Sequence, residues 1–184
     1  PFVKWAGGKG QLLEVLKANL PDGIGKKITK YAEPFVGGGA LLFALLNDYS
    51  FKEVYINDNN KELINTYRVI KDNCESLINE LNKLQKQYEK LDANERQNYY
   101  YVKRDKFNEL KLSTETSIEK ASLFIFLNKT CFNGLYRVNK SGNFNVPAGK
   151  YKNPLICDTE NLKAISKSLQ NVIMRSCDYH DAEN

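Results

Sequence analysis

Glu33-Pro34-Phe35-Val36-Gly37-Gly38-Gly39 lies between a short apolar stretch and the run Ala40-Leu41-Leu42-Phe43-Ala44-Leu45-Leu46. This order reads as strand, glycine turn and helix, the opening of an α/β unit. Asp58 closes a second short strand, Val54-Tyr55-Ile56-Asn57, 19 positions after Gly39. Glycine lets a ligand approach the backbone closely, and a carboxylate at the end of the next strand can accept hydrogen bonds from ribose hydroxyls. The unit predicts a site for a nucleoside-containing cofactor.

The glycines also narrow the choice of cofactor. A dinucleotide site normally shows Gly-x-Gly-x-x-Gly, whereas three consecutive glycines follow Pro34-Phe35-Val36 here. A P-loop needs Gly-Lys-Ser/Thr, and Gly39 is followed by Ala40. A cofactor without phosphate, such as S-adenosylmethionine, suits the turn better. Ahead of it, Lys4-Trp5-Ala6-Gly7-Gly8-Lys9 precedes a helix expected over Lys9 to Leu20. Amides at that helix start, with Lys9 beside them, would attract an amino-acid carboxylate.

Length and composition set outer bounds. At 184 residues the chain can bury one real core. Its longest apolar runs, Ala40–Leu46 and Leu123–Leu127, fall short of the ~20 residues of a membrane span. Pro1-Phe2-Val3-Lys4-Trp5 lacks the basic start and apolar core of a secretory signal, so a cytoplasmic protein is expected. The net charge of +5 is a modest basic excess, compatible with a nucleic-acid partner or with solvated surface lysine. Cys74, Cys131, Cys157 and Cys177 form no Cys-x-x-Cys pair and His180 is the only histidine, so reduced thiols and no metal are expected. The chain starts without methionine and finishes on a turn-like Asp181-Ala182-Glu183-Asn184, which suggests a fragment.

Further along, Lys61 to Asp72 reads as a helix with Leu63, Ile64, Tyr67 and Ile70 on one face. Leu77, Ile78, Leu81, Leu84, Tyr88 and Leu91 form an amphipathic stripe, and Asn94–Leu110 and Ile118–Leu127 read as two more helices. Such a strand-poor block after two strands predicts an inserted helical lobe. Lys129 to Lys152 is basic and glycine-punctuated, with Phe132, Tyr136, Phe144 and Tyr151 spaced through it and a hairpin expected around Lys140-Ser141-Gly142-Asn143. A helix over Thr159–Leu169, capped by Thr159, and a strand at Val172–Arg175 return to the α/β pattern.

Four separated segments resemble, in order, the DNA adenine methylase (Dam) family: Lys4–Lys9, Glu33–Gly39, Ile56-Asn57-Asp58 and Leu127–Asn139, followed by Phe144-Asn145-Val146-Pro147. The resemblance covers nearly the whole chain. It implies a Rossmann-like methyltransferase core using S-adenosylmethionine, an inserted helical DNA-recognition lobe with a β-hairpin, and double-stranded DNA as partner. Residues 1–72 would be the cofactor-binding part of the core, 73–157 the target-recognition lobe and 158–184 the return to the core. It further implies that Trp5, Lys9 and Asp58 contact the cofactor, that Glu33, Phe35 and Gly37 shape the turn, and that Asp178 and Tyr179 hold its adenine. Phe132 and Asn133 would probe stacked bases, Arg137 would read a guanine, and Lys129, Asn139, Asn145 and Lys150 would contact DNA around them, largely its phosphates.

The implied reaction moves a methyl group to the exocyclic amine of an adenine flipped out of duplex DNA, at GATC-like sites. Enzymes of this kind receive the amine with an Asp-Pro-Pro-Tyr-like motif. No Pro-Pro pair occurs in the chain. No residue is therefore assigned a catalytic role, and the motif is expected to follow Asn184. Ala148 and Lys150 stand where an aromatic residue and an arginine are expected from the family, which bears on the target sequence. Two alternatives stand beside this reading: a catalytically incomplete or degenerate methylase that only binds DNA, and a methyltransferase for RNA or a small molecule.

Overall fold

The computed structural model describes residues 1–110 and 117–181. Seven helices are present among them: α1 (Leu13–Ala18), α2 (Ala40–Asp48), α3 (Lys61–Asp72), α4 (Cys74–Glu89), α5 (Ala93–Glu109), α6 (Ile118–Thr130) and α7 (Thr159–Ser168). Strands β1 (Lys30–Glu33), β2 (Glu53–Asn57) and β3 (Val172–Arg175) form a parallel sheet in the order β1-β2-β3. Tyr31 pairs with Val54, and Ile56 pairs with Met174. Parallel neighbours cannot be joined by a tight turn, so each return needs a crossover. Helix α2 makes the first, and everything from α3 to α7 belongs to the second.

Local chemistry explains the helix ends. Asn60 caps α3 through Leu63 N–H, and Asp92 and Glu95 form a reciprocal capping box at α5. Ser117 caps α6 through Lys120 N–H. At α7 the cap is Asp158, which accepts from Asn161 N–H, rather than the expected Thr159. Aspartate one residue earlier caps at least as well, and Thr159 becomes the first helical residue.

Helix α6 organises the core. From Lys120 to Thr130 every residue except Lys129 is buried, so the helix is enclosed on all sides. It packs against α3, α4 and α5. The buried Lys120 ammonium donates to the carbonyls of Phe107 and Leu110, satisfying the end of α5. Leu63, Ile64, Tyr67 and Ile70 of α3 and Leu77, Leu81 and Tyr88 of α4 face the same interior, as their spacing predicts. One hydrophobic cluster includes residues from 1–72, from 73–157 and from the α7–β3 segment. The helical block therefore shares its core with the sheet.

Other sequence expectations also need correction. Lys9–Leu20 is not one helix: a 3₁₀ turn covers Lys9–Leu12, and the α-helix proper is only Leu13–Ala18. Gly7, Gly8 and Gly10 give the start little helical preference, and Asn19 and Pro21 end it early. Its leucines do not form a buried stripe, and Leu12 is 56 % exposed. The short apolar stretch before the glycine turn becomes strand only from Lys30, and Ile28 instead bridges to Ile24. The expected terminal turn at 181–184 falls, beyond Asp181, outside the described residues. Around Lys140–Asn143 the chain folds back through an antiparallel bridge between Val138 and Phe144, with Asn139 N–H donating to Asn143 O at 2.9 Å. No regular strand flanks this turn among the described residues.

Candidate functional site

The glycine turn leaves the C-terminal end of β1 and is pinned from β2. Val36 N–H donates to Asn57 O at 3.0 Å, and Gly37 N–H donates to Asp58 Oδ2 at 3.0 Å. Asp58 Oδ1 accepts from Asn60 N–H at 3.0 Å, so one carboxylate ties the turn to the start of α3. Below it, the buried Tyr67 hydroxyl donates to Gly37 O at 3.0 Å. Burial raises the Tyr67 pKa, with Glu33 and Asp58 adding to the rise, so this hydroxyl stays a donor.

Two glycines are required sterically. Gly37 has φ 51°, and a Cβ there would come within 2.9 Å of the Trp5 ring. Gly39 has φ 75°, and a Cβ would meet the Tyr67 hydroxyl at 2.5 Å and Phe43 at 2.6 Å. Other residues rarely adopt such φ values, and here the space is also taken.

A cavity of about 750 Å³ opens at this end of the strands, bounded by Trp5, Lys9, Phe35, Gly37, Gly38 and Asp58, among others. Crevices at the carboxyl ends of parallel strands are where α/β folds bind ligands. The cavity is lined by an indole, a carboxylate and closely approachable backbone, a set that fits a nucleoside. Asp58 has lone pairs to spare, because two backbone N–H groups occupy only part of a carboxylate's capacity.

Lys9 and Glu33 pair with each other at the turn. The Lys9 ammonium donates to Glu33 Oε1 and to Phe35 O, each at 2.8 Å. The buried Glu33 also accepts from the Tyr31 hydroxyl at 2.7 Å, which leaves it behind the turn rather than among the cavity's lining residues. Lys9 thus braces the turn as well as bordering the cavity. The 3₁₀ turn that begins at Lys9 also replaces the α-helical start expected to hold a carboxylate.

Asp178 and Tyr179 follow β3 and are exposed; neither lines the cavity. They are nonetheless held near it. The Tyr179 ring lies 5.5 Å from that of Phe35, and Asn57 clamps the segment through Cys177 N–H, Cys177 O and Pro34 O. Asn57 and Tyr67 position the turn without having been singled out. A short strand ending in Asn-Asp carried a signal for the first, whereas Tyr67 reads only as a core residue.

The basic segment forms a second face. Cys131 bridges to Ala148, and Phe132 N–H donates to Pro147 O at 2.9 Å. Phe132 is 52 % exposed at the tip, and Asn133 adopts φ 54°, a left-handed conformation that asparagine tolerates better than most residues. Arg137 is exposed and donates from Nε to Asn145 Oδ1 at 2.7 Å and from Nη2 to Asn145 O at 3.2 Å. Asn145 thereby orients the guanidinium, leaving its Nη1 end for an incoming acceptor. Asn139 is occupied locally, accepting from Ser141 N–H and Asn143 N–H at 3.0 Å each. Lys150 is exposed, whereas Lys129 is half-buried. Burial lowers the Lys129 pKa, opposed by the Asp158 carboxylate and helped slightly by Lys4.

Residues 5–184 match the family model for D12 class N6 adenine-specific DNA methyltransferases. The chain belongs to that family. It is 52 % identical over 173 residues to the type II methyltransferase M.MjaIII of Methanocaldococcus jannaschii, covering 94 % of this chain and 60 % of that protein. It is 41 % identical to M1.LlaDCHI of Lactococcus lactis subsp. cremoris, covering 93 % of this chain and 55 % of the relative. To the DNA adenine methylase of Haemophilus influenzae it is 36 % identical, over 97 % of this chain and 57 % of the relative. This D12-class chain therefore spans rather more than half the length of these relatives. Among its described residues, no helix is long and apolar enough to cross a membrane, and no cluster of His, Cys, Asp and Glu could hold a metal ion.

Proposed function

We propose that the protein containing this chain methylates the exocyclic amine of adenine in duplex DNA, with S-adenosylmethionine as donor and a GATC-like target. The observation that carries this reading is the adjacency of two faces. The cavity bounded by Trp5, Gly37 and Asp58 meets the basic turn through the Trp5–Tyr136 ring stack, with centroids 5.7 Å apart. Family membership and the relatives' names support the chemistry.

Trp5 and Asp58 would hold the nucleoside and the turn's backbone would let it approach, with Lys9, Glu33 and Phe35 fixing the turn and Asp178 and Tyr179 closing over the adenine. S-adenosylmethionine supplies an electrophilic methyl group. Residues 73–157 would form the recognition lobe: Phe132 and Asn133 against the bases, Arg137 on a guanine, and Lys129, Asn139, Asn145 and Lys150 along the strand. Polarising the amine is assigned to none of the 184 residues.

The test is transfer of labelled methyl from S-adenosylmethionine to GATC-containing and scrambled duplexes by the protein as its gene encodes it. Label as 6-methyladenine in the GATC duplex alone is expected. Cofactor binding without label on either duplex would remove GATC as the target or leave a protein that only binds.

Arg137 and Lys150 divide the roles on the DNA face. Arg137→Ala is expected to cost about 1–3 kcal/mol of discrimination between matched and mismatched duplexes, because a bidentate guanine contact is lost. Lys150→Ala should weaken both duplexes alike and reduce the salt dependence of binding by about one phosphate contact. Anisotropy titrations at several salt concentrations check both. Equal losses on both duplexes for Arg137→Ala would exclude it as a base reader.

A further inference from the structure

Arg137 is exposed, and among the described residues its guanidinium hydrogen-bonds to Asn145 alone, through Asn145 Oδ1 and Asn145 O. Asn145 N–H in turn donates to Arg137 O at 3.1 Å. Where Asn145 sits therefore sets where the Arg137 fork points. Its two chain neighbours, Phe144 and Val146, are both buried.

Helix α5 holds both of those neighbours by their backbone. Asn108 Nδ2 donates to Phe144 O at 3.1 Å, and Asn108 Oδ1 accepts from Phe144 N–H at 2.9 Å. About two helical turns earlier, the Tyr100 hydroxyl donates to Val146 O at 2.8 Å. Tyr100 is buried, and burial raises its pKa, so this hydroxyl stays a donor. The Phe107 ring, from the same helix, meets the Phe144 ring edge-on with centroids 6.0 Å apart. The turn itself has an isolated bridge at Val138 and Phe144 but no regular ladder among the described residues. Side chains of α5 supply part of the fixing that a ladder gives elsewhere. They grip the arm immediately before and immediately after the residue that orients Arg137.

We propose that Tyr100 and Asn108 are positioning residues for base recognition: by fixing Val146 and Phe144 they set Asn145, and through it the Arg137 guanidinium, against the target base. This rests on Arg137 reading a guanine, as proposed above. A bidentate contact needs both donors in line with their acceptors and weakens steeply when the fork rotates. Phosphate contacts carry no sequence information, so a displaced fork lowers discrimination rather than binding as a whole.

The experiment compares affinities of the full-length protein for GATC and scrambled duplexes by anisotropy. Tyr100→Phe removes the hydroxyl and keeps the buried ring. It should reduce the preference for the GATC duplex by about three- to tenfold, the size of one spoiled hydrogen bond, and leave affinity for the scrambled duplex unchanged. Asn108→Asp keeps the acceptor for Phe144 N–H but sets a carboxylate oxygen against Phe144 O. It should act in the same way, and decides the matter if Tyr100→Phe does not fold. In an Arg137→Ala background either substitution should change the preference by less than about twofold, because the group they position is gone.

Folded variants that are less stable to urea yet keep the original preference would overturn the inference and leave α5 as a support for the fold alone. So would a loss of preference that persists undiminished in the Arg137→Ala background. A preference that Arg137→Ala itself leaves intact would instead overturn the reading of Arg137 on which the inference rests.

Discussion

Phe126→Ala is expected to lower the free energy of unfolding by about 3–5 kcal/mol, the usual cost of emptying an aromatic site in a core. Phe126 is fully buried on α6, with its ring 5.8 Å from that of Tyr88 on α4 and 5.6 Å from that of Tyr99 on α5. Both contacts are edge-on, the favourable geometry for aromatic pairs, and both are lost together. Helix α6 also packs on α3, whose Tyr67 supports the glycine turn, so the effect should reach the cavity. Urea unfolding followed by far-UV circular dichroism and by Trp5 fluorescence checks this. Both signals should move to lower urea by the same amount, because one hydrophobic cluster joins the sheet to the helical block. A Trp5 transition that stays in place while helicity is lost earlier would mean that the block unfolds on its own. Val102→Ala, at a site 63 % exposed, serves as the surface control and should change stability by less than about 0.5 kcal/mol.

How far this arrangement could be read from sequence depends on the kind of contact. Helix α3 was legible to its ends, because Leu63, Ile64, Tyr67 and Ile70 make one apolar face within Lys61–Asp72. The glycine turn was legible because few residue types tolerate its backbone. Family motifs located Trp5 and Asp58, and the structure places both on one cavity.

What escaped the sequence was pairing over distance. Asn128 bonds to Lys4 across 124 positions, and Asn57 bonds to Cys177 across 120. Nothing in the local pattern marks such partners. The segment at Lys9–Leu20 misled for the opposite reason. Its leucine spacing satisfies a helical stripe, but whether a stripe is buried depends on what the fold brings against it. The ion pair of Lys9 with Glu33 is another such pairing, since Lys9 alone reads as a ligand contact and Glu33 as part of the turn.

Asp58→Ala carries the largest expected effect on ligand binding. Removing the carboxylate proposed to accept from ribose hydroxyls should cost about 1.5–3 kcal/mol, roughly ten- to hundredfold in affinity for S-adenosylmethionine. The structure adds a second consequence. Asp58 also accepts from Gly37 N–H and Asn60 N–H, so the same substitution unpins the turn from the start of α3. The two effects separate in the measurement, because a ribose contact exists only with ligand present, whereas a backbone pin acts in the free protein. Calorimetric titration reads the first and thermal unfolding without ligand reads the second. Loss of both is expected, with the affinity loss exceeding what a slightly less stable turn would produce. Unchanged affinity with reduced stability would leave Asp58 as a structural pin and transfer the ribose to another group. The lone pairs that Asp58 keeps beyond its two backbone bonds, on a residue that lines a cavity bordered by glycine backbone and an indole, argue for loss of both.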